Sequence, residues 1–210
     1  MVNSNLNVRH MLRLTLVALL LLTGVPAFAD KLSLDQISEY LNGFRTATGT
    51  FTQLNDDGSK ATGTYAIRRP GRARFEYDAP MDAVVVSNGA TVGIVDGKSN
   101  TRPHAYPLYI TPLKIILARK VRLNRAKMII GHMGDGTTTT IRAQDPLFPN
   151  YGTIDLVFSN SPVKLKKLVV NEASGNRITM ILNDLTTGVR LADKLFEIPG
   201  LDTNRFNNQN

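Results

Sequence analysis

The sequence predicts a mostly β chain of the α+β class, in which one long antiparallel sheet curls around two short helices. Three observations predict it. Apolar and polar residues alternate at period two through most of the chain after Thr48, turn-forming clusters recur about every eight to twelve residues, and only two stretches interrupt this with helical spacing. A sheet of about ten or eleven strands must curl or close, and two helices with apolar stripes then fit its inner side or mouth.

The first 29 residues stand apart from this fold. Arg9 and Arg13 precede the apolar run 14–25, Gly24 and Pro26 follow, and Ala27-Phe28-Ala29 has the small-x-small form of a signal-peptidase site, so cleavage is expected before Asp30. The apolar core is about 12 residues, short of the roughly 20 that span a bilayer. A retained N-terminal anchor is the alternative, and Met11 serves as a start as well as Met1. Residues 30–210 are then expected to form one domain. The whole chain carries a net charge of +8, and removing the signal takes away two arginines and no acids, which leaves 23 basic against 17 acidic residues. A basic exported protein is drawn weakly to anionic membrane surfaces, and export excludes a nucleic-acid partner. The chain has no cysteine, so disulfides, thiolate chemistry and N-terminal lipidation are excluded.

Each element follows from a local signal. Ser33-Leu34-Asp35-Gln36 is a capping box, and Leu34, Ile37, Leu41 and Phe44 recur at helical spacing, which predicts a helix over 34–44 ended with the help of Gly43. A strand starts near Phe51 and turns at 55–59. The segment 63–80, GTYAIRRPGRARFEYDAP, reads as a hairpin: Tyr65 and Ile67 share one face of its first strand, and Phe75 and Tyr77 one face of its second. At its corner Pro70 and Gly71 suit the central positions of a type II turn, loosened into a longer loop because that turn splays tight hairpins. The run 83–87 closes on Asn88-Gly89, a two-residue hairpin signal, and 90–95 pairs back. Within 107–120, Thr111 is placed to cap a short helix with Pro112 at its first position and Leu113, Ile116 and Leu117 as its apolar stripe. Strands resume at about 127–132, 137–143, 153–159, 164–171 and 177–184, and the tail 207–210 is polar.

The order of Gly63, Arg69-Pro70, Phe75-Glu76-Tyr77 and Pro80, followed by Ser87-Asn88-Gly89, Thr111-Pro112-Leu113 and Leu195-Phe196, resembles the LolA family of periplasmic carriers of outer-membrane lipoproteins. The resemblance lies in the collinear series and covers nearly all of residues 30–210. It sharpens the curled sheet to an open, unclosed β-barrel of about 11 strands with a short α-helical lid. It also implies a periplasmic location, acylated lipoproteins as cargo, an ATP-driven LolCDE-type complex as donor, a LolB-type lipoprotein as acceptor where one exists, and a monomer.

Several residues keep two readings. Arg69 is either a solvated turn arginine or, as the resemblance implies, the latch whose hydrogen bonds to the lid helices hold the cavity closed; the planar guanidinium suits carbonyls at helix ends better than lysine does. Arg68 falls on the opposite strand face. Tyr65, Ile67, Phe75 and Tyr77, with Val84 and Val86 from the next strand, are either sheet core or the lining of a hydrophobic cavity under Leu113, Ile116 and Leu117. Ala73 is smaller than the bulky residue the family leads one to expect, and tryptophan is absent, so a differently shaped or roomier cavity is expected. The basic run Arg119, Lys120, Arg122, Arg125, Lys127 is either a guarded sheet edge or a docking patch for a membrane partner or lipid headgroups.

Catalysis and metal binding are not expected. His104 and His132, the histidines beyond the signal, have neither HExxH nor paired-His spacing, and no GxSxG elbow occurs. Two other function classes remain beside lipoprotein carriage: a carrier or sensor of free lipids or hydrophobic small molecules on the same fold, and a hydrolase using His104 or His132.

Overall fold

The computed structural model describes residues 31–98, 101–111 and 113–201. The signal segment, Pro112, which was expected at the first position of the second helix, and the polar tail lie outside the described residues. The strands are β1 (Thr46–Asn55), β2 (Lys60–Arg68), β3 (Arg72–Tyr77), β4 (Ala83–Asn88), β5 (Thr91–Asp96), β6 (His104–Pro107), β7 (Ile129–Gly134), β8 (Thr138–Ala143), β9 (Thr153–Asn160), β10 (Val163–Asn171), β11 (Arg177–Leu182) and β12 (Thr186–Thr187). Two α-helices, α1 (Leu34–Asn42) and α2 (Leu113–Ile116), accompany them.

All twelve strands belong to one antiparallel sheet ordered β6-β5-β4-β3-β2-β1-β11-β10-β9-β8-β7, with β12 on the flank of β1. The order begins and ends on strands paired on one side only, β6 and β7, so among the described residues the curled sheet stays unclosed, as expected. The long strands β1 and β2 pair over nine positions from Thr46 opposite Arg68 to Leu54 opposite Lys60, and they form the spine between the two halves of the meander.

The inner face is apolar because the predicted alternation holds there. Phe51 is fully buried, and its ring meets Phe75 and Tyr77 edge-on at 5.9 and 5.0 Å between centroids. Burying a ring of that size stabilises the fold by about 1.5–3 kcal/mol. Gly63 sits opposite both Phe51 and Tyr77, and a Cβ there would lie 2.7 Å from the Phe51 ring. The gap left by its missing side chain is where the two rings meet.

α1 forms where the capping box predicts: the Gln36 amide donates to Ser33 Oγ at 3.1 Å and the Ser33 amide to Gln36 Oε1 at 2.8 Å. It ends two residues before the expected boundary, at Asn42, with the Gly43 amide donating to Glu39 and Tyr40 carbonyls. Its apolar stripe lies on the inner face, where Ile37 and Leu41 are buried and Tyr40 meets Phe158 of β9 edge-on at 6.1 Å.

α2 is one turn long, preceded by a 3-10 turn at Leu108–Ile110. The Thr111 hydroxyl donates back to the Leu108 carbonyl at 2.9 Å and so closes that turn. Ile115 joins Ile116 and Leu117 among the buried residues of this segment, which a narrow stripe of Leu113, Ile116 and Leu117 did not include.

Of two hairpin corners, the first has the longer loop expected and the second differs. The β2–β3 ladder ends with Arg68 opposite Arg72, so the loop is the three residues 69–71. Gly71 has the positive φ of 76° that was expected, and the Arg69–Pro70 peptide is cis. The β4–β5 ladder ends at Ser87 opposite Val92, a wider connection than a two-residue hairpin. Asn88 organises it, its Oδ1 accepting from the amides of Ala90 and Thr91 at 3.0 and 2.9 Å.

The segment after β12 packs on the outer face of β2 to β5. Arg68 donates to the Leu191 carbonyl at 2.8 Å, pairs with Asp193 and lies over the Phe196 ring at 5.0 Å, while Arg72 reaches Asp193 at 3.1 Å. Phe196 and Ile198 are buried there. Arg68 thus faces away from the helices, as strand alternation predicts.

Candidate hydrophobic cavity and its helical cover

Between the helices and the sheet lies a cavity of about 310 Å³. Phe75 and Tyr77 of β3, Val85 of β4 and Ile94 of β5 line one wall, Ile154, Leu168, Val170, Ile178 and Met180 line the other, and Leu113 of α2 covers it. Two of its polar side chains bond each other, the Tyr77 hydroxyl donating to Gln53 Oε1 at 2.6 Å, while Gln53 Nε2 donates to Asn55 Oδ1 at 2.8 Å. The Thr111 hydroxyl donates to the Leu108 carbonyl, and the Thr153 hydroxyl accepts from Asn171 Nδ2. Burial pushes the Tyr77 phenol up to about 12, so it stays protonated as a donor at neutral pH. Such a lining offers an apolar guest contact area and almost no hydrogen bonding.

The sequence-derived residues divide between cavity, core and outer face. Phe75, Tyr77 and Leu113 line the cavity. Tyr65, Ile67, Ile116 and Leu117 are buried in the core around it, and the Tyr65 hydroxyl donates to the Asp184 carbonyl. Val84 and Val86 are corrected. In the β3–β4 register Phe75 faces Val85, while Val84 and Val86 face Glu76 and Arg74 and so share the outer face. Val86 is nevertheless fully buried, and its partner in β5 is Gly93, where a Cβ would lie 2.4 Å from Ile198 of the outer segment. Val85 is the β4 residue of the cavity. The opposite wall, on β9 to β11, was not singled out from the sequence, although its alternation carried the signal.

Arg69 sits at the junction of sheet and helices. Its side chain is 6% exposed, its Nη2 donates to the carbonyls of Leu41 and Phe44, and the guanidinium lies 5.0 Å from the centroid of the Phe44 ring. Those carbonyls belong to the last turn of α1 and the residue just past its cap, where the helix dipole leaves partial negative charge and α1 has no cation of its own. Burial, and then the neighbouring Arg45 charge, act against the protonated form and lower the Arg69 pKa. Next to it the Gly71 amide donates to the Leu117 carbonyl at 2.7 Å, so the same corner holds both helices.

The helical cover is itself joined. Asn42 pairs with the Val121 backbone in both directions at 2.9 Å, and Ser38 Oγ accepts from the Leu123 amide at 3.0 Å. On the far side Lys114 of α2 bridges to Asp145 at 3.0 Å and to the Tyr109 carbonyl. Burial raises the Asp145 pKa, but the hydrogen bond from Lys114, the Leu147 amide and the Lys114 charge outweigh it and leave the carboxyl below its ordinary value.

The run 119–127 is not a strand. It crosses α1 as an irregular segment with a 3-10 turn at Leu123–Arg125, before β7 begins at Ile129, so it does not itself form the sheet edge. His104 lies on β6 and His132 on β7, at opposite ends of the sheet order, and His132 Nε2 is within 2.8 Å of the Leu32 carbonyl. Among the described residues no group of three or more His, Cys, Asp or Glu is placed to hold a metal, and no helix is long and apolar enough to cross a membrane.

An unclosed antiparallel half-barrel with an apolar cavity under helices defines a class of protein built to hold an apolar guest. Residues 42–199 match the family described as outer membrane lipoprotein carrier protein LolA, and the chain belongs to that family. Among curated relatives, an outer-membrane lipoprotein carrier protein of Pseudomonas entomophila is 26% identical over 204 residues, 90% of this chain and 95% of that protein. One from Azotobacter vinelandii is 40% identical over 76 residues, which span 34% of this chain and 37% of that one. The crystal structure of a LolA superfamily protein from Nitrosomonas europaea aligns over 81% of this chain and 100% of that one, with a TM-score of 0.42 and 11% identity. Family membership makes the chain a periplasmic carrier of lipoproteins or lipids, with a role in transport rather than catalysis.

Proposed function

We propose that residues 30–210 act as one domain that carries acylated lipoproteins from the inner to the outer membrane, with the acyl chains in the half-barrel and the protein part of the cargo outside. The observation that supports this most directly is the predominantly apolar cavity, in which Tyr77 and Gln53 are already bonded to each other. An acyl chain needs contact area and no hydrogen bonds, and that lining supplies the one without the other.

The size of the driving force bears on how loading proceeds. Each buried CH₂ is worth roughly 0.8 kcal/mol relative to water, so a lipid with tens of methylenes does not leave a bilayer unaided at a useful rate. Loading therefore requires a partner that performs work, which fits an ATP-driven LolCDE-type donor, with a LolB-type acceptor at the other membrane. In this reading Arg69 latches the empty carrier, loading breaks the latch, and its re-formation favours release.

Mass spectrometry of the material bound to the tagged protein, as isolated from the periplasm, tests the reading. Acylated lipoproteins in stoichiometric amounts are expected. Free phospholipid or other small lipids alone would overturn lipoprotein carriage and assign the cavity to general lipid transport.

A further inference from the structure

Five cations crowd the segment between α2 and β7, Arg119, Lys120, Arg122, Arg125 and Lys127, and all five are exposed. Among the described residues none of them forms an ion pair, whereas Arg68, Arg72, Arg74, Lys114 and Arg142 each do. Only two carboxylates, Asp35 and Glu39 of α1, share the groove beside them. The segment is held in place by Val121 and Leu123, both buried and both bonded to α1, while Arg122 between them and the four flanking cations are exposed.

The basic segment runs into an apolar rim. The Met128 carbonyl accepts from the Gln144 amide at 2.9 Å, which sets Lys127 beside the loop 145–151. In that loop Leu147 is 80% and Tyr151 60% exposed, and Tyr151 also lines the cavity. Lys114 ties the same loop to the Tyr109 carbonyl, and Tyr109 is 67% exposed.

We propose that this face docks on an anionic phospholipid bilayer, with the five cations at the headgroups and Leu147, Tyr151 and Tyr109 at the interface beside the cavity mouth. Each feature suits a bilayer. Flexible cations spread along a segment attract a charged surface without needing fixed geometry. Rings with polar tips, flanked by an exposed leucine, match the boundary between headgroup and acyl chain. Docked this way, the cavity mouth opens toward lipid while the sheet and its outer segment face away.

Flotation of the mature protein with cargo-free vesicles tests the docking apart from lipoprotein carriage, so either reading can fail without the other. Vesicles of phosphatidylcholine are compared with vesicles of phosphatidylcholine and phosphatidylglycerol at low and raised salt. Binding is expected only to the anionic vesicles, and it is expected to fall as salt rises. The quadruple variant Arg119→Gln, Lys120→Gln, Arg122→Gln, Arg125→Gln, altered at exposed positions alone, is expected to lose binding on the order of a hundredfold. Leu147→Ser should weaken binding severalfold and leave its salt dependence intact. Equal binding to both vesicle types, or undiminished binding by the quadruple variant, overturns the proposal. So does failure of the unaltered protein to bind anionic vesicles at low salt, which would leave the cations to an acidic protein partner.

Discussion

Arg69 shows how much one side chain can hold. It is buried, it donates to two carbonyls at the end of α1, and it stacks on Phe44, yet its Nε and Nη1 are buried without a partner. Two buried donors without partners leave part of the desolvation cost of the guanidinium uncompensated, which in the proposed latch would favour opening. Arg69→Leu removes two charge-assisted bonds, each worth about 1.5–3 kcal/mol, so in the proposed latch the balance between closed and open cover should shift by about a hundredfold or more toward open. The variant is expected to load but to deliver poorly, because closing no longer favours release. Transfer of lipoprotein to acceptor membranes measures this, and delivery at the unaltered rate would falsify the latch.

At the scale of elements, the sequence is most legible where alternation is clean and least legible where it stops. β2 and β3 read correctly because Tyr65, Ile67, Phe75 and Tyr77 are separated by polar or small residues. In Ala83-Val84-Val85-Val86 every residue is apolar, so nothing in the string says which valine faces inward. The reason is physical: both faces of β4 are covered, one by the cavity side and the other by Phe196 and Ile198, more than a hundred residues away in sequence. Arg69 stood out only through the family resemblance, since its place before a turn proline fits a solvated arginine equally well; its two carbonyl partners lie 25 and 28 residues upstream and no local pattern names them. Gly63 is the converse case, a strand glycine with a structural cause. Its Cβ position is 2.1 Å from the Glu76 carbonyl oxygen and 2.7 Å from the Phe51 ring, and the first of these is backbone that cannot step aside. Gly63→Ala should therefore destabilise the protein by about 1–3 kcal/mol through overpacking and should part β2 from β3. Chemical denaturation checks it, and an unchanged midpoint would mean that the rings relax without cost.

At the scale of the whole molecule, the cavity and its cover pose one question: how a space of about 310 Å³, near the lower end of the roughly 300–1,000 Å³ usual for small-ligand sites, admits a lipid. The bonds suggest where the molecule divides. α1 and the segment 119–125 are joined to each other by Asn42 and Ser38, while the helical cover meets the sheet at Arg69 on the end of α1, at the Gly71 amide on Leu117 just past α2, at the Leu165 amide on the Tyr40 hydroxyl at 3.2 Å, and, just before α1, at Leu32 with Thr139 and His132. Three bonds join the parts of the cover, two at Asn42 and one at Ser38; if these outlast the four at Arg69, Gly71 and Leu165, the cover lifts as a unit while the sheet, paired along its inner strands, stays as it is. Hydrogen exchange with and without a lysophospholipid separates the two classes of amide. On loading, Gly71 and Leu165 should lose protection, because their acceptors leave with the cover. Val121 and Leu123 should keep theirs, because donor and acceptor travel together. If all four amides lost protection, the cover would be unravelling rather than lifting. If none did, the added volume would have to come from spreading the open edge between β6 and β7, and the corner at Arg69 would have no part in admitting the guest.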